Sequence, residues 1–165
     1  MLMEMEARKS ARAMLLNAQG QMLWLHVEDN ISDDKDALPT RFWCVPGGGL
    51  ESGETFEEAL WTEVLEEFGL EILGAGTHVA TFAQRTSWQG QWYLNDSGFY
   101  AIRVESPRLG FANATELEKE VFRSFKWWAY EEIKASSELF LPKEIVEVFG
   151  AIAEGRWNGE VRQIS

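Results

Sequence analysis

Residues Gly47 to Leu70 read "GGGLESGETFEEALWTEVLEEFGL". From Glu51 to Glu71 stand eight carboxylates, Glu51, Glu54, Glu57, Glu58, Glu63, Glu66, Glu67 and Glu71, with no Lys or Arg among them. Thr55 followed by Glu58 has the form of a capping box and predicts a helix that begins at Thr55. Gly69 stands where a left-handed C-cap belongs, so the helix ends near Phe68. At about 100° per residue, Leu60, Trp61, Val64, Leu65 and Phe68 share one arc of roughly 140°, the side expected to be buried. Glu63, Glu66 and Glu67 share a separate arc of about 100°. Like charges three and four residues apart weaken a helix by a few tenths of a kcal/mol per pair, and no base relieves them here. A solvated acidic face is one reading. The other is a hard divalent cation held by carboxylate and backbone oxygens. The second is favoured because a strand and a triple-glycine turn precede the helix, and the acids continue into that turn as Glu51 and Glu54.

Upstream, "SARAMLL" and "QMLWLHV" read as strands joined by "NAQG", a hairpin turn. "EDNISDDKDALPT" reads as a polar loop whose Asp spacing does not fit an EF-hand. "RFWCV" is a short strand running into "PGGG". Downstream, "THVATFAQ" and "GFYAIRV" read as strands, and either "SWQGQW" or "NDSG" makes the turn between them. "FKWWAY" reads as a strand and "EEIKAS" as a short helix. "PKEIVEVFGAIAEG" reads as an amphipathic helix with Pro142 near its first turn, Gly155 past its end, and Ile145, Val146, Phe149 and Ile152 on its buried side. Strands mixed with two substantial helices imply an α/β or α+β layered domain.

Length and composition bound the function. A chain of 165 residues, 45% apolar and 25% charged, is most simply one globular domain, residues 1–165. The net charge of −12 argues against non-specific nucleic-acid binding. It leaves room for a small phosphorylated ligand, because a bound divalent ion inverts the local sign. The single Cys, Cys44, allows no internal disulfide and fits a reducing compartment. Its apolar neighbours Trp43 and Val45 point to inert burial. The N-terminal stretch lacks the apolar core of a signal peptide, and no run of about 18 uncharged apolar residues occurs. The expectation is a cytoplasmic protein, monomer or homodimer, with no membrane partner.

The glycine turn and acidic helix resemble the Nudix box, the signature of the Nudix hydrolases: Gly, five residues, Glu, seven residues, then Arg-Glu-hydrophobic-any-Glu-Glu-any-Gly-hydrophobic. Gly48 and Glu54 fill the first fixed places, and Glu63, Val64, Glu66, Glu67, Gly69 and Leu70 the later ones. The resemblance implies a mixed β-sheet sandwiched between α-helices. It also implies hydrolysis of a diphosphate bond in a nucleoside diphosphate linked to another group, with Mg²⁺ or Mn²⁺. Glu63, Glu66 and Glu67 would be metal ligands, and Glu67 with the Gly47 carbonyl would hold the principal ion. Glu54 would be a supporting acid.

The box calls for Arg before its first helical Glu, and this chain has Thr62. In the family that Arg orients box carboxylates. Arg41, Arg85 and Arg103 lie on or near strands that could approach. For the general base, "NATELEKEVF" offers Glu116, Glu118 and Glu120, with Glu120 chosen for its apolar neighbours; solvated loop acids are the competing reading. Arg85, Thr86, Ser87 and Trp88 occupy the places where family members specific for ADP-ribose or diadenosine polyphosphates carry Pro or Tyr. What remains is similar to the generic type that cleaves nucleoside triphosphates. Trp43, Trp88 and Trp92 are candidates for stacking on a base, against packing. Two other readings stand beside the hydrolase. One is a Nudix-fold domain that binds a nucleotide without useful turnover, and the other is an acidic interaction module without metal.

Overall fold

The computed structural model of the protein describes residues 6–28, 41–50, 53–55, 58, 71–72, 76–88, 91–105 and 122–164. Ten strands are described: β1 (Glu6–Leu16), β2 (Met22–Glu28), β3 (Arg41–Cys44), β4 (Gly47–Gly49), β5 (Glu71–Ile72), β6 (Thr77–Trp88), β7 (Gln91–Glu105), β8 (Phe122–Trp128), β9 (Phe140–Leu141) and β10 (Arg162–Ile164). The described helices are α1 (Tyr130–Ala135) and α2 (Lys143–Ala153). The strands join in the order β10-β6-β7-β1-β2-β3-β9, with β4 beside β1, β5 beside β7 and β8 beside β2. β1 runs parallel to β7, β3 to β9 and β10 to β6, while the remaining pairs are antiparallel. The expected mixed sheet is present.

β1 is the centre of the layout, and its side chains alternate between two buried clusters, as a strand covered on both faces requires. Met14 and Leu16 join Met22, Trp24, Val79 and Phe99 in the first cluster. Ala11, Ala13 and Leu15 join Leu23, Leu25, Tyr100, Ile102 and Val104 in the second. Among the described residues, both helices pack on the first cluster, through Ile133 of α1 and Ile145, Val148 and Phe149 of α2. The buried side of α2 therefore centres on Ile145, Val148 and Phe149, with Val146 and Ile152 only half-buried. That is a rotation of the expected face toward Val148, set by contact with the sheet.

The hairpin over "NAQG" forms as expected. Asn17 N–H donates to Gln21 O at 3.0 Å, and Gly20 adopts φ +76°, which a side chain disfavours. Of the two competing turns, the first is the connection: Trp88 pairs with Gln91, and Asn95–Gly98 lie inside β7 opposite Thr81–Gln84. "FKWWAY" divides, since β8 ends at Trp128 and Tyr130 opens α1. "PGGG" is more than a turn, because its glycines form β4 against β1. Residues 29–40, which carry most of the polar loop, lie outside the described residues. Cys44 is half-buried against the second cluster. Among the described residues no helix is long and apolar enough to cross a membrane.

Candidate functional site

The acid-rich stretch begins where β4 is held against β1. Register pairs Ser10 with Gly49, Ala11 with Gly48 and Arg12 with Gly47. Ala13 N–H donates to Pro46 O at 2.7 Å and Leu50 N–H to Lys9 O at 2.9 Å, so the ladder extends one pair beyond the strand at each end. Glycine is needed at 47 because of close approach. A Cβ there would overlap Ala11 O and stand 2.8 Å from both Cα and Cδ of Arg12. Pairs in an antiparallel ladder alternate between hydrogen-bonded and non-hydrogen-bonded. With Ala13–Pro46 and Lys9–Leu50 bonded, Arg12–Gly47 is a non-hydrogen-bonded pair, and the Gly47 carbonyl points away from β1.

That outward oxygen is the backbone group proposed by resemblance as a metal ligand. Arg12 Nη1 donates to it at 3.5 Å. A cationic side chain therefore faces this oxygen. Gly53 turns the chain with φ +81° just before Glu54, which is half-buried. The capping box is formed in both directions: Thr55 N–H donates to Glu58 Oε2, and Glu58 N–H to Thr55 Oγ1, each at 3.2 Å. Glu58 is itself helical, as the box predicts for that position.

The remaining candidates divide. Glu63, Glu66, Glu67, Thr62 and Glu120 lie outside the described residues. Among the described residues no group of three His, Cys, Asp or Glu could hold a metal ion. Two of the three candidate arginines sit at register positions well along the sheet from Gly47. Arg103 pairs in register with Leu16, four residues along β1 from Arg12, or about 13 Å. Arg85 pairs with Leu94, itself opposite Ala7, about 16 Å from Arg12 in the other direction. Arg41 opens β3 beside Glu28.

Arg12 is the residue that sequence reasoning missed. Its signal was a lone base inside "SARAMLL", on the strand face shared with Met14. Two residues earlier on that face, Ser10 Oγ meets Ser97 Oγ at 2.6 Å. Trp43 is excluded as an exposed stacking platform. It is 7% exposed, donates Nε1–H to Glu138 Oε1 at 3.0 Å, and lies 4.8 Å from His26 and 5.2 Å from Trp128 between ring centroids. Trp92 is 46% exposed.

Comparison with known proteins agrees with the arrangement. Residues 6–149 match the family model of the NUDIX domain. Over 43 residues the chain is 46% identical to the nucleoside triphosphatase NudI of Escherichia coli O139:H28, a match covering 26% of this chain and 30% of that protein. Over 97 residues it is 30% identical to the RNA pyrophosphohydrolase of Sulfurovum sp., covering 55% of this chain and 60% of that one. The matches thus span less than two thirds of these relatives. Among solved structures, the MutT protein of Methanosarcina mazei Go1 superposes with a TM-score of 0.59 at 18% identity, covering 93% of this chain and 98% of that one. The E. coli ORF135 protein gives 0.56 at 24% identity, with 92% and 94% covered. At those identities the likeness is one of fold. With the family model matched across most of its length, the chain belongs to the Nudix hydrolase family.

Proposed function

We propose that residues 1–165 form a single Nudix domain that hydrolyses a diphosphate bond in a nucleoside diphosphate linked to another moiety, nucleoside triphosphates included. The observation that carries this reading is the Gly47 carbonyl turned away from β1, in a chain that continues through a formed Thr55–Glu58 capping box toward Glu63, Glu66 and Glu67 in sequence. Family members generally use divalent metal ions, and Mg²⁺ or Mn²⁺ suits this all-oxygen set. Gly47 O, Glu63, Glu66 and Glu67 would hold the ion, with Glu54 supporting them from the turn and Glu120 as general base. When bound, the ion neutralises phosphate oxygens and lowers the pKa of a bound water. The apolar arc Leu60, Trp61, Val64, Leu65 and Phe68 would cover the second cluster, which no described helix covers. The NudI and RNA pyrophosphohydrolase relatives support a nucleotide substrate. The reading further places the protein in the cytoplasm, as monomer or homodimer.

Thr62 favours a second reading, a nucleotide-binding domain without useful turnover. Incubating the protein and Glu67→Gln with Mg²⁺ or Mn²⁺ and a panel of nucleoside triphosphates, nucleotide sugars, dinucleotides and ADP-ribose separates the two. Turnover lost in the variant supports the hydrolase. Ligand-induced thermal stabilisation without turnover supports the binder.

A further inference from the structure

The last turn of α2 does not close fully on the sheet. Between them lies a cleft of about 220 Å³, lined wholly by described residues. Leu16 and Val79 form its buried floor, and Ile152 and Trp157 its half-buried side. Ile152, expected inside, is only half covered because it borders this cleft. Two local features shape the space. A β-bulge in β6 between His78 and Ala80 turns both Val79 and Ala80 into the first cluster, and bulges re-aim side chains in this way beside functional sites. Gly155, at φ +69°, folds the chain back after α2, and the N–H groups of Arg156 and Trp157 both donate to Ala151 O, at 2.7 and 3.1 Å. Backbone bonds thus carry the indole to the cleft. The rim is polar, with Thr77 and Arg103 both exposed there. Among the described residues Arg103 has no hydrogen-bond or ion-pair partner. A second cleft of about 270 Å³ also borders Trp157, but its arginines are already matched, Arg162 to Glu147 at 2.5 Å and Arg156 to Glu154 at 2.6 Å. Unmatched charge over an apolar floor belongs to the first.

We propose that this cleft is a binding site for a small planar monoanion, an aromatic ring carrying one carboxylate. The ring rests on Leu16, Val79 and Ile152 against the Trp157 indole, and the carboxylate meets the Arg103 guanidinium at the rim. A cavity of about 150 Å³ lined by apolar side chains takes up benzene. This cleft therefore has room for one substituted ring, but it falls short of the roughly 300 Å³ at which pockets for larger ligands begin. Contact with the indole favours a flat ring. The planar fork of Arg103 matches the two oxygens of a carboxylate. None of the lining residues is acidic, so a cation finds no counter-charge there. Leu16, the register partner of Arg103, lies four residues along β1 from Arg12, or about 13 Å. The site is thus separate from the proposed diphosphate site and does not depend on that reading.

Benzoate titrated into the methyl-labelled full chain, followed by NMR, is expected to move the Leu16, Val79 and Ile152 methyl signals saturably, with a millimolar or tighter Kd. Benzyl alcohol, of similar size without the charge, is expected to bind about tenfold or more weakly, as loss of a charge-assisted hydrogen bond implies. Arg103→Gln, a change at an exposed position, should bring the two ligands to equal affinity. Ala101→Leu, which fills the cleft, should abolish binding of both. Should that variant not fold, the comparison of the two ligands on Arg103→Gln decides. Absence of saturable shifts with benzoate overturns the proposal. Equal affinity of the wild type for both ligands, or a preference for benzoate that survives in Arg103→Gln, overturns it as well. So does benzoate binding retained in a folded Ala101→Leu.

Discussion

Gly47, Arg12 and Thr62 mark how far single residues could be read. The spacing of the box asks for glycine at 48, whereas the need for glycine at 47 comes from a neighbour 35 residues away that only strand register supplies. Gly47→Ala would drive a methyl group into Ala11 O and the Arg12 side chain. Overpacking of this kind costs about 1–3 kcal/mol. A fall in chemical-denaturation midpoint with an unchanged slope would register it; a variant as stable as the parent would show that the two strands are not so closely apposed. Thr62 is the vacancy in the box. Thr62→Arg is expected to raise turnover, on the order of tenfold, by restoring a group that orients metal-binding carboxylates. Steady-state kinetics and Mn²⁺ affinity of the pair check it, and no gain in either would remove Thr62 from the account.

At the level of elements, local signals were read well and long-range pairings were not. The "NAQG" hairpin, the Thr55–Glu58 box and the α2 helix depend on neighbours within a few residues, and their turn and cap chemistry is written in the sequence. β4, β9 and β10 are strands of two or three residues that exist because β1, β3 and β6 offer an edge to pair with. Nothing in "GGG", "FL" or "RQI" announces that. The rival turns "SWQGQW" and "NDSG" are a similar case: both can turn a chain, and the fifteen-residue β7 running beside β1 selects the first. Because the capping box is reciprocal, Thr55→Ala removes a side-chain acceptor from the Glu58 N–H and should cost about 1 kcal/mol. Thermal or denaturant unfolding of that single variant reads the loss, and a neutral result would mean the helix does not depend on its cap.

The whole molecule explains why so acidic a chain can build this site. Its two clusters are apolar on both faces of one sheet, and no polar or charged residue is among the described buried ones. Among the described residues the charge therefore lies outside these clusters. Trp24, Trp43, Trp128 and Phe140 meet in one aromatic group between sheet and helices, which accounts for three of the eight tryptophans as packing. The β1–β4 ladder is the link between this core and the chemistry. It fixes a backbone oxygen outward at the point where the carboxylates begin. The central claim is that Glu67, with that oxygen, holds a divalent ion on which hydrolysis depends. The most direct test is product release from a nucleoside triphosphate, measured against Mg²⁺ or Mn²⁺ concentration, for the wild type and Glu67→Gln side by side. Metal-dependent turnover is expected to fall by about 100-fold or more in the variant, since such an ion contributes several kcal/mol to the transition state. Turnover that persists in Glu67→Gln, or that needs no added metal after chelation, would contradict the account.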